Sequence, residues 1–429
     1  MYYRLWLGSG IRPPRTIPLG PIFALQYIYD FGTSEMKDMG IAASYLDYLG
    51  TSDMTAAEIK LAFYNLACNY YISASKDRVV VGLSGLAENM PKAMELLEKV
   101  LADAQPDKEA YDGLVDDILR ARLNDKADQQ ANFRRLQTYT FYGPNNPSNT
   151  ILSEAELRSM APETLLQRIS QLSTLEHRVL YYGPLGMDEV SSTVASLHKV
   201  PENLSPVPEN DVFKLQTVKE NVVYIAPYDA NQIYMITYAS RGDKYDVQKS
   251  PVLNMYNEYF GGGMNSIVFQ EMREARGLAY SAYALAMEPA RLEAPYGYFS
   301  MIATQNDKMI DALTAFEEII NNMPLSEQAF AIAKEAIISR LRSERITKEE
   351  VLTYYLDQEE LGLTEDTRKQ LFEAVQAMTL DDVKAYQQAN VKDRKAVIAI
   401  LGRESDLDMK SLEKWGKIVH LTQEDIFGY

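Results

Sequence analysis

One cysteine, Cys68, stands in a chain of 429 residues. A single thiol excludes an internal disulfide framework and any cysteine-rich zinc centre. Histidine is almost as scarce: His177, His198 and His420 are the only three, and none falls in an HxxH or HxxEH pattern. A Ser-His-Asp or Cys-His site would have to assemble in space, and each histidine reads as an ordinary core or surface residue. Positive charge is short as well, with 43 Lys and Arg against 60 Asp and Glu and a net charge of −17. That balance speaks against a nucleic-acid binder, which needs a basic face for phosphates, and against docking on anionic lipid. No apolar run approaches the roughly 20 residues of a membrane span. The opening, MYYRLWLGSG, has no lysine-rich lead and no long apolar core, so it does not read as a signal peptide.

What is present describes a globular protein, with 46% hydrophobic and 24% charged residues. The length exceeds one ordinary core, and two domains of about 200 residues are the expectation. The segment 199–211, KVPENLSPVPEND, carries three prolines among polar residues and reads as a linker. It places a first domain at 1–198 and a second at 212–429.

The two parts repeat each other at an offset of about 210 residues. FALQYIYDFGTSEMKDMGIAASYLDYLGTS and NQIYMITYASRGDKYDVQKSPVLNMYNEYFGGG each read as strand, polar turn, amphipathic helix, then an aromatic residue and glycine. Gly50 corresponds to Gly261. Two strands follow in each part. Next come the helices MPKAMELLEKVLADA and DKMIDALTAFEEIINN, then KEAYDGLVDDILRARLNDK and SEQAFAIAKEAIISRLRSER. The apolar strands HRVLYYGPL and KAVIAILGR close the two parts. The fold class is α+β: two homologous domains, each an antiparallel or mixed β-sheet with helices packed on one face.

The most informative stretch is Phe260–Ala284, FGGGMNSIVFQEMREARGLAYSAYA. It is not a Walker loop, which needs GxxxxGK[ST]. Nor is it a dinucleotide fingerprint: the last glycine of GxGxxG is missing and a helix, not a strand, precedes it. Structurally, glycines end one helix, Asn265 or Ser266 caps the next, Arg273 and Arg276 face its negative end, and Gly277 terminates it. Beyond that, a reversal at Gly277 brings Arg273 and Tyr280 towards one place beside the glycines Gly261, Gly262 and Gly263. A guanidinium and a phenol together can donate to a peptide carbonyl or an oxyanion.

This stretch resembles the pitrilysin/insulinase family of zinc metallopeptidases, whose later half carries a pattern like GGG…S.LF.E.RE..GLAY. The two-domain repeat extends the resemblance over nearly the whole chain. It implies a metallohydrolase-like fold, as in processing peptidases, with four such domains closing around a peptide, in one chain or two subunits. The family's zinc site is an HxxEH helix followed by a glycine-threonine pair, with a glutamate downstream. Counting back from Gly50 and Thr51, the HxxEH positions hold Ile41, Ser44 and Tyr45, and the downstream glutamate falls near Asp116 or Asp117. No metal is therefore expected in this chain, and zinc is expected in a partner half that carries HxxEH.

By the same resemblance the chain is the zinc-free half. Arg273 holds a substrate carbonyl, and Tyr280 donates to the oxyanion formed at the partner's zinc site. Gly261, Gly262, Gly263 and Arg276 are carried over as substrate contacts, with a turn and a helix cap as their structural alternatives. The implied partners are an HxxEH-containing half and a peptide. The ending HLTQEDIFGY resembles the tail of long single-chain members, which favours a fragment. Relatives with such tails point to the bacterial periplasm or cell envelope, while a chain complete as given would be cytoplasmic. The rival reading is a non-catalytic assembly protein of the same fold, like core subunits of respiratory complexes. An independent hydrolase with an unrelated site is disfavoured by the scarce histidine and single cysteine.

Overall fold

The computed structural model describes residues 6–7, 21–209, 213–230 and 232–429. Most of the opening stretch and the end of the 199–211 segment lie outside the described residues. The chain forms two compact units. The first comprises 1–124, 150–213 and 346–355, and the second 125–149, 214–345 and 356–429.

The first unit holds a five-stranded mixed sheet built from β1 (Trp6–Leu7), β2 (Ile22–Tyr29), β3 (Cys68–Ala74), β4 (Val79–Leu86) and β5 (Arg178–Tyr182), in the order β1-β5-β2-β4-β3. The second holds a six-stranded sheet from β6 (Val222–Pro227), β7 (Gln232–Ala239), β8 (Ser281–Met287), β9 (Gly297–Gln305), β10 (Val397–Gly402) and β11 (Lys417–His420). Its order is β11-β6-β10-β7-β9-β8. Apart from β11, the two orders are the same. With β11, itself parallel to β6, set aside, the first pair of each sheet is parallel and the next three pairs are antiparallel. The internal repeat read from sequence is thus a repeat of topology.

Helix α1 (Met39–Leu46) follows β2, and α2 (Ala56–Asn65) begins at Thr55. The Thr55 hydroxyl accepts from the Glu58 amide while the Glu58 carboxylate accepts from the Thr55 amide, a reciprocal cap that satisfies free helix-end donors. Helix α3 (Met90–Asp103) buries Met90, Ala93, Met94, Leu97 and Val100. That spacing makes one apolar stripe, and it packs with Phe23, Leu25, Tyr27 and Tyr29 of β2 in the first core. Its counterpart Met309–Asn321 buries Met309, Ala312, Leu313, Phe316 and Ile319 against the second sheet. α4 is Lys108–Ala127.

The second sheet carries a further layer. Alternate residues of β7 and β10 face opposite ways, so Ile233, Met235, Ile398 and Ile400 join the core under Met309–Asn321. Ile236, Tyr238, Ala399 and Leu401 face the other side, where they meet Phe133, Leu136 and Tyr139 of α5 (Gln129–Tyr142) and Ile426 and Phe427 near the C-terminus. Helix α5 precedes the proline-rich segment in sequence yet belongs to the second unit. Both faces of that sheet are therefore apolar, which explains why β10 is buried along its whole length.

Candidate functional site

The helix Ser250–Phe260 ends where the three glycines begin. A Cβ on Gly261 would lie 1.9 Å from the Ala284 carbonyl oxygen of β8, so only glycine lets the helix end approach that strand. The Gly261 and Gly262 amides both donate to the Asn257 carbonyl. Gly263 has no neighbour within 4 Å of where a Cβ would sit. Gly262, Gly263 and Met264 are exposed, whereas Gly261 is buried. β8 is an edge strand, and that edge is partly closed: the Asn257 amide side chain donates to the Ala286 carbonyl at 2.9 Å and accepts from the Ala286 amide at 2.7 Å.

Ser266 caps the following helix through its hydroxyl, which accepts from the Phe269 amide. After one turn, Ile267–Phe269, the chain continues as a π-helical segment, Gln270–Ala275, and the Arg276 amide donates to the Glu271 carbonyl five residues back. Such wide turns are uncommon and recur at functional sites. Gly277, at φ +57°, reverses the chain in the left-handed region. The reversal is held by the Leu278 amide on the Met272 carbonyl, by Thr304 Oγ1 donating to the Leu278 carbonyl, and by the Tyr280 amide on the Ala303 carbonyl of β9.

This geometry brings Arg273 and Tyr280 together. The Arg273 guanidinium carbon lies 5.5 Å from the Tyr280 ring centroid and 5.1 Å from that of Phe269, close enough for cation–π attraction. Tyr280 is 73% exposed. Arg273 makes a 3.6 Å contact with its neighbour Glu274. Arg276 is otherwise engaged: its Nη1 donates to Glu318 at 2.7 Å and its Nε lies 3.5 Å from Glu271. Those carboxylates raise its pKa, the Glu318 hydrogen bond foremost.

The positions where the family's zinc ligands would stand are occupied by side chains that do not fit a metal. Ile41 has no donor atom, and the exposed Ser44 hydroxyl donates back to the Gly40 carbonyl. Tyr45 is buried, donates to the Asp107 carbonyl at 2.7 Å and accepts from the Asp107 amide at 2.8 Å. Burial raises its pKa, which disfavours the phenolate a metal would require. Asp116 pairs with Arg158 at 3.2 Å and Asp117 with Arg120 at 3.6 Å on an exposed face of α4. Among the described residues no group of three or more His, Cys, Asp or Glu side chains is placed to hold a metal ion.

One constellation escapes sequence reasoning. His177 and His198, though separate in sequence, meet in the first unit with their Nε2 atoms 3.0 Å apart. His198 Nδ1 lies 2.8 Å from Glu98 Oε1, which also accepts from the Tyr27 hydroxyl at 2.9 Å. His177 Nδ1 donates to the Leu175 carbonyl at 2.7 Å, so its Nε2 is left to accept from His198. Burial lowers the pKa of His177. The His198 side chain is 1% exposed. The cluster is a satisfied buried polar network.

Comparison with known proteins gives a consistent result. Residues 179–337 match the family model described as the peptidase M16 inactive domain. A Helicobacter pylori protein named non-peptidase homolog YmxG is 21% identical over 380 residues, 86% of each chain. The peptidase M16 inactive domain from Pseudomonas fluorescens superposes with a TM-score of 0.69 at 16% identity, over 89% of this chain and 93% of that one. The ferredoxin protease FusC, solved in complex with Arabidopsis ferredoxin, gives 0.68 at 13% identity over 90% of this chain and 42% of that chain. At such identities the structural likeness is one of fold. Residues 179–337 are thus similar to the peptidase M16 inactive domain, and the chain as a whole shares the fold of the M16 inactive-domain proteins.

Proposed function

We propose that this chain is the zinc-free half of a peptidase and works with an HxxEH-containing half on peptide substrates. One observation carries the reading: an exposed guanidinium and an exposed phenol, Arg273 and Tyr280, lie together on a π-helical turn. Arg273 donates to a substrate carbonyl and holds it in register. Tyr280 donates its phenolic hydrogen to the oxyanion that develops at that carbonyl. The metal and its activated water belong to the partner half. Gly262 and Gly263 offer an exposed backbone along which a peptide passes. Gly261 supports them through its contact with β8, and Arg276 steadies the turn through Glu318.

A second reading is favoured by the name of the Helicobacter relative, a non-peptidase homolog. In that reading the fold serves assembly rather than cleavage. Peptide hydrolysis by this chain, by its HxxEH half, and by the two mixed separates them. Activity that needs the mixture supports the half-site. An HxxEH half equally active alone removes it and leaves the assembly reading.

A further inference from the structure

A cavity of about 320 Å³ lies inside the second unit, between the helix Met309–Asn321 and the sheet. Its walls are of two kinds. Leu313, Phe316, Ile398 and Trp415 form an apolar side. Thr237, Tyr298 and Ser300 place hydroxyl-bearing side chains on one face of the sheet, since Thr237 and Ser300 are register partners and Tyr298 is two residues away. Arg394 lines the same space.

Arg394 is the unusual member. Its side chain is 5% exposed, and the Asp243 carboxylate is 4.0 Å away. Its Nε is buried without a hydrogen-bond partner among the described residues. The buried Tyr298 hydroxyl beside it is turned towards the equally buried Tyr256 hydroxyl. Burial, and secondarily the like charge of Arg241, lower the Arg394 pKa. A buried charge with open donors is costly, and unsatisfied buried polar groups beside a cavity mark a missing acceptor.

We propose that the cavity binds a small monocarboxylate with an apolar body, its carboxylate on Arg394 and its body against Phe316 and Trp415. The guanidinium fork matches a carboxylate in shape and charge. Glu317 and Asp393 line the cavity as exposed acids, with Lys395 as an exposed cation beside them. They disfavour a dianion such as phosphate. At about 30 Å³ per water-sized unit, the space suits a molecule of about ten non-hydrogen atoms, at the small end of ligand pockets. The site is independent of Arg273 and Tyr280, and the peptidase reading does not bear on it.

Trp415 provides the test, since Trp6 is the only other tryptophan. The intact chain is titrated with phenylacetate, with its uncharged isostere phenylacetamide, and with inorganic phosphate, while tryptophan emission is followed. Phenylacetate is expected to give a saturable change, with phenylacetamide and phosphate at least ten-fold weaker. Arg394→Met is expected to weaken phenylacetate at least ten-fold, and Trp415→Phe to remove the signal. Equal responses to acid and amide, no saturation up to about 10 mM, or a response that survives either substitution overturns the proposal. The acid-against-amide comparison uses the unaltered chain, so the test stands even where a variant fails to fold.

Discussion

Replacing Gly261 by alanine tests how the glycine run is built. The added methyl would meet the Ala284 carbonyl oxygen at 1.9 Å, where ordinary contact begins at 3.4 Å, so β8 must retreat by about 1.5 Å. Ala284 is fully buried, which leaves the strand little room. Overpacking of this kind costs about 1–3 kcal/mol. The retreat also stretches the paired bonds between Asn257 and Ala286, each worth about 1 kcal/mol net. Together these give about 3 kcal/mol, or a fall of about 6–12 °C in the melting of the second unit. Gly263→Ala is the control. It meets nothing within 4 Å, and its effect is expected to stay within about 0.5 kcal/mol. Calorimetry of the two variants decides the matter. An unchanged transition for Gly261→Ala, or a lowered one for Gly263→Ala, would refute the assignment of packing to the first glycine and open backbone to the third.

Tyr280→Phe should leave the melting temperature unchanged, because the side chain is 73% exposed, while lowering turnover of the assembled enzyme by about 10²–10³. Unchanged turnover removes Tyr280 from the mechanism. Arg276→Ala should affect cleavage far less than Arg273→Ala, since Arg276 is committed to Glu318 and Glu271; equal losses would argue against that division. Stability of the first unit should depend on pH through His177. Its folded pKa is lowered, chiefly by burial, from the ordinary 6.5, so the unfolded chain takes up the proton first. The stabilisation is complete above about 6.5 and is lost as pH falls through the lowered folded value. Melting curves from pH 8 to pH 5 should show this loss, and His177→Gln should flatten it. An unchanged slope would exclude His177 as the cause.

The strands and helices of the repeat were legible because each is a bounded apolar run or an apolar stripe of helical period. The apolar runs FALQYIY and NQIYMITY, and the stripes in Met90–Asp103 and Met309–Asn321, are patterns that neighbouring residues alone produce. The limits of the helical stretch after the glycines were legible too, since the Ser266 hydroxyl caps its start and Gly277 reverses the chain at its end. The absence of HxxEH at Ile41, Ser44 and Tyr45 was also a matter of local counting.

Other features depend on partners distant in sequence. Phe133, Leu136 and Tyr139 of α5 form an apolar stripe that no local signal assigns to either sheet; the second sheet claims it because both faces of β7 and β10 are apolar. His177, His198 and Glu98 share no spacing rule and meet only through the packing of β5, α3 and the end of the helix Met187–Leu197. The π-helical turn that sets Arg273 over Tyr280, and the cavity around Arg394, likewise come from packing against β9 and the helix Met309–Asn321. By itself the sequence determined the elements, the repeat and the loss of the metal ligands, since these follow from local periodicity and residue chemistry. Tertiary structure decided which surfaces face one another and which polar groups are left to find partners, because burial and long-range contact belong to the folded chain.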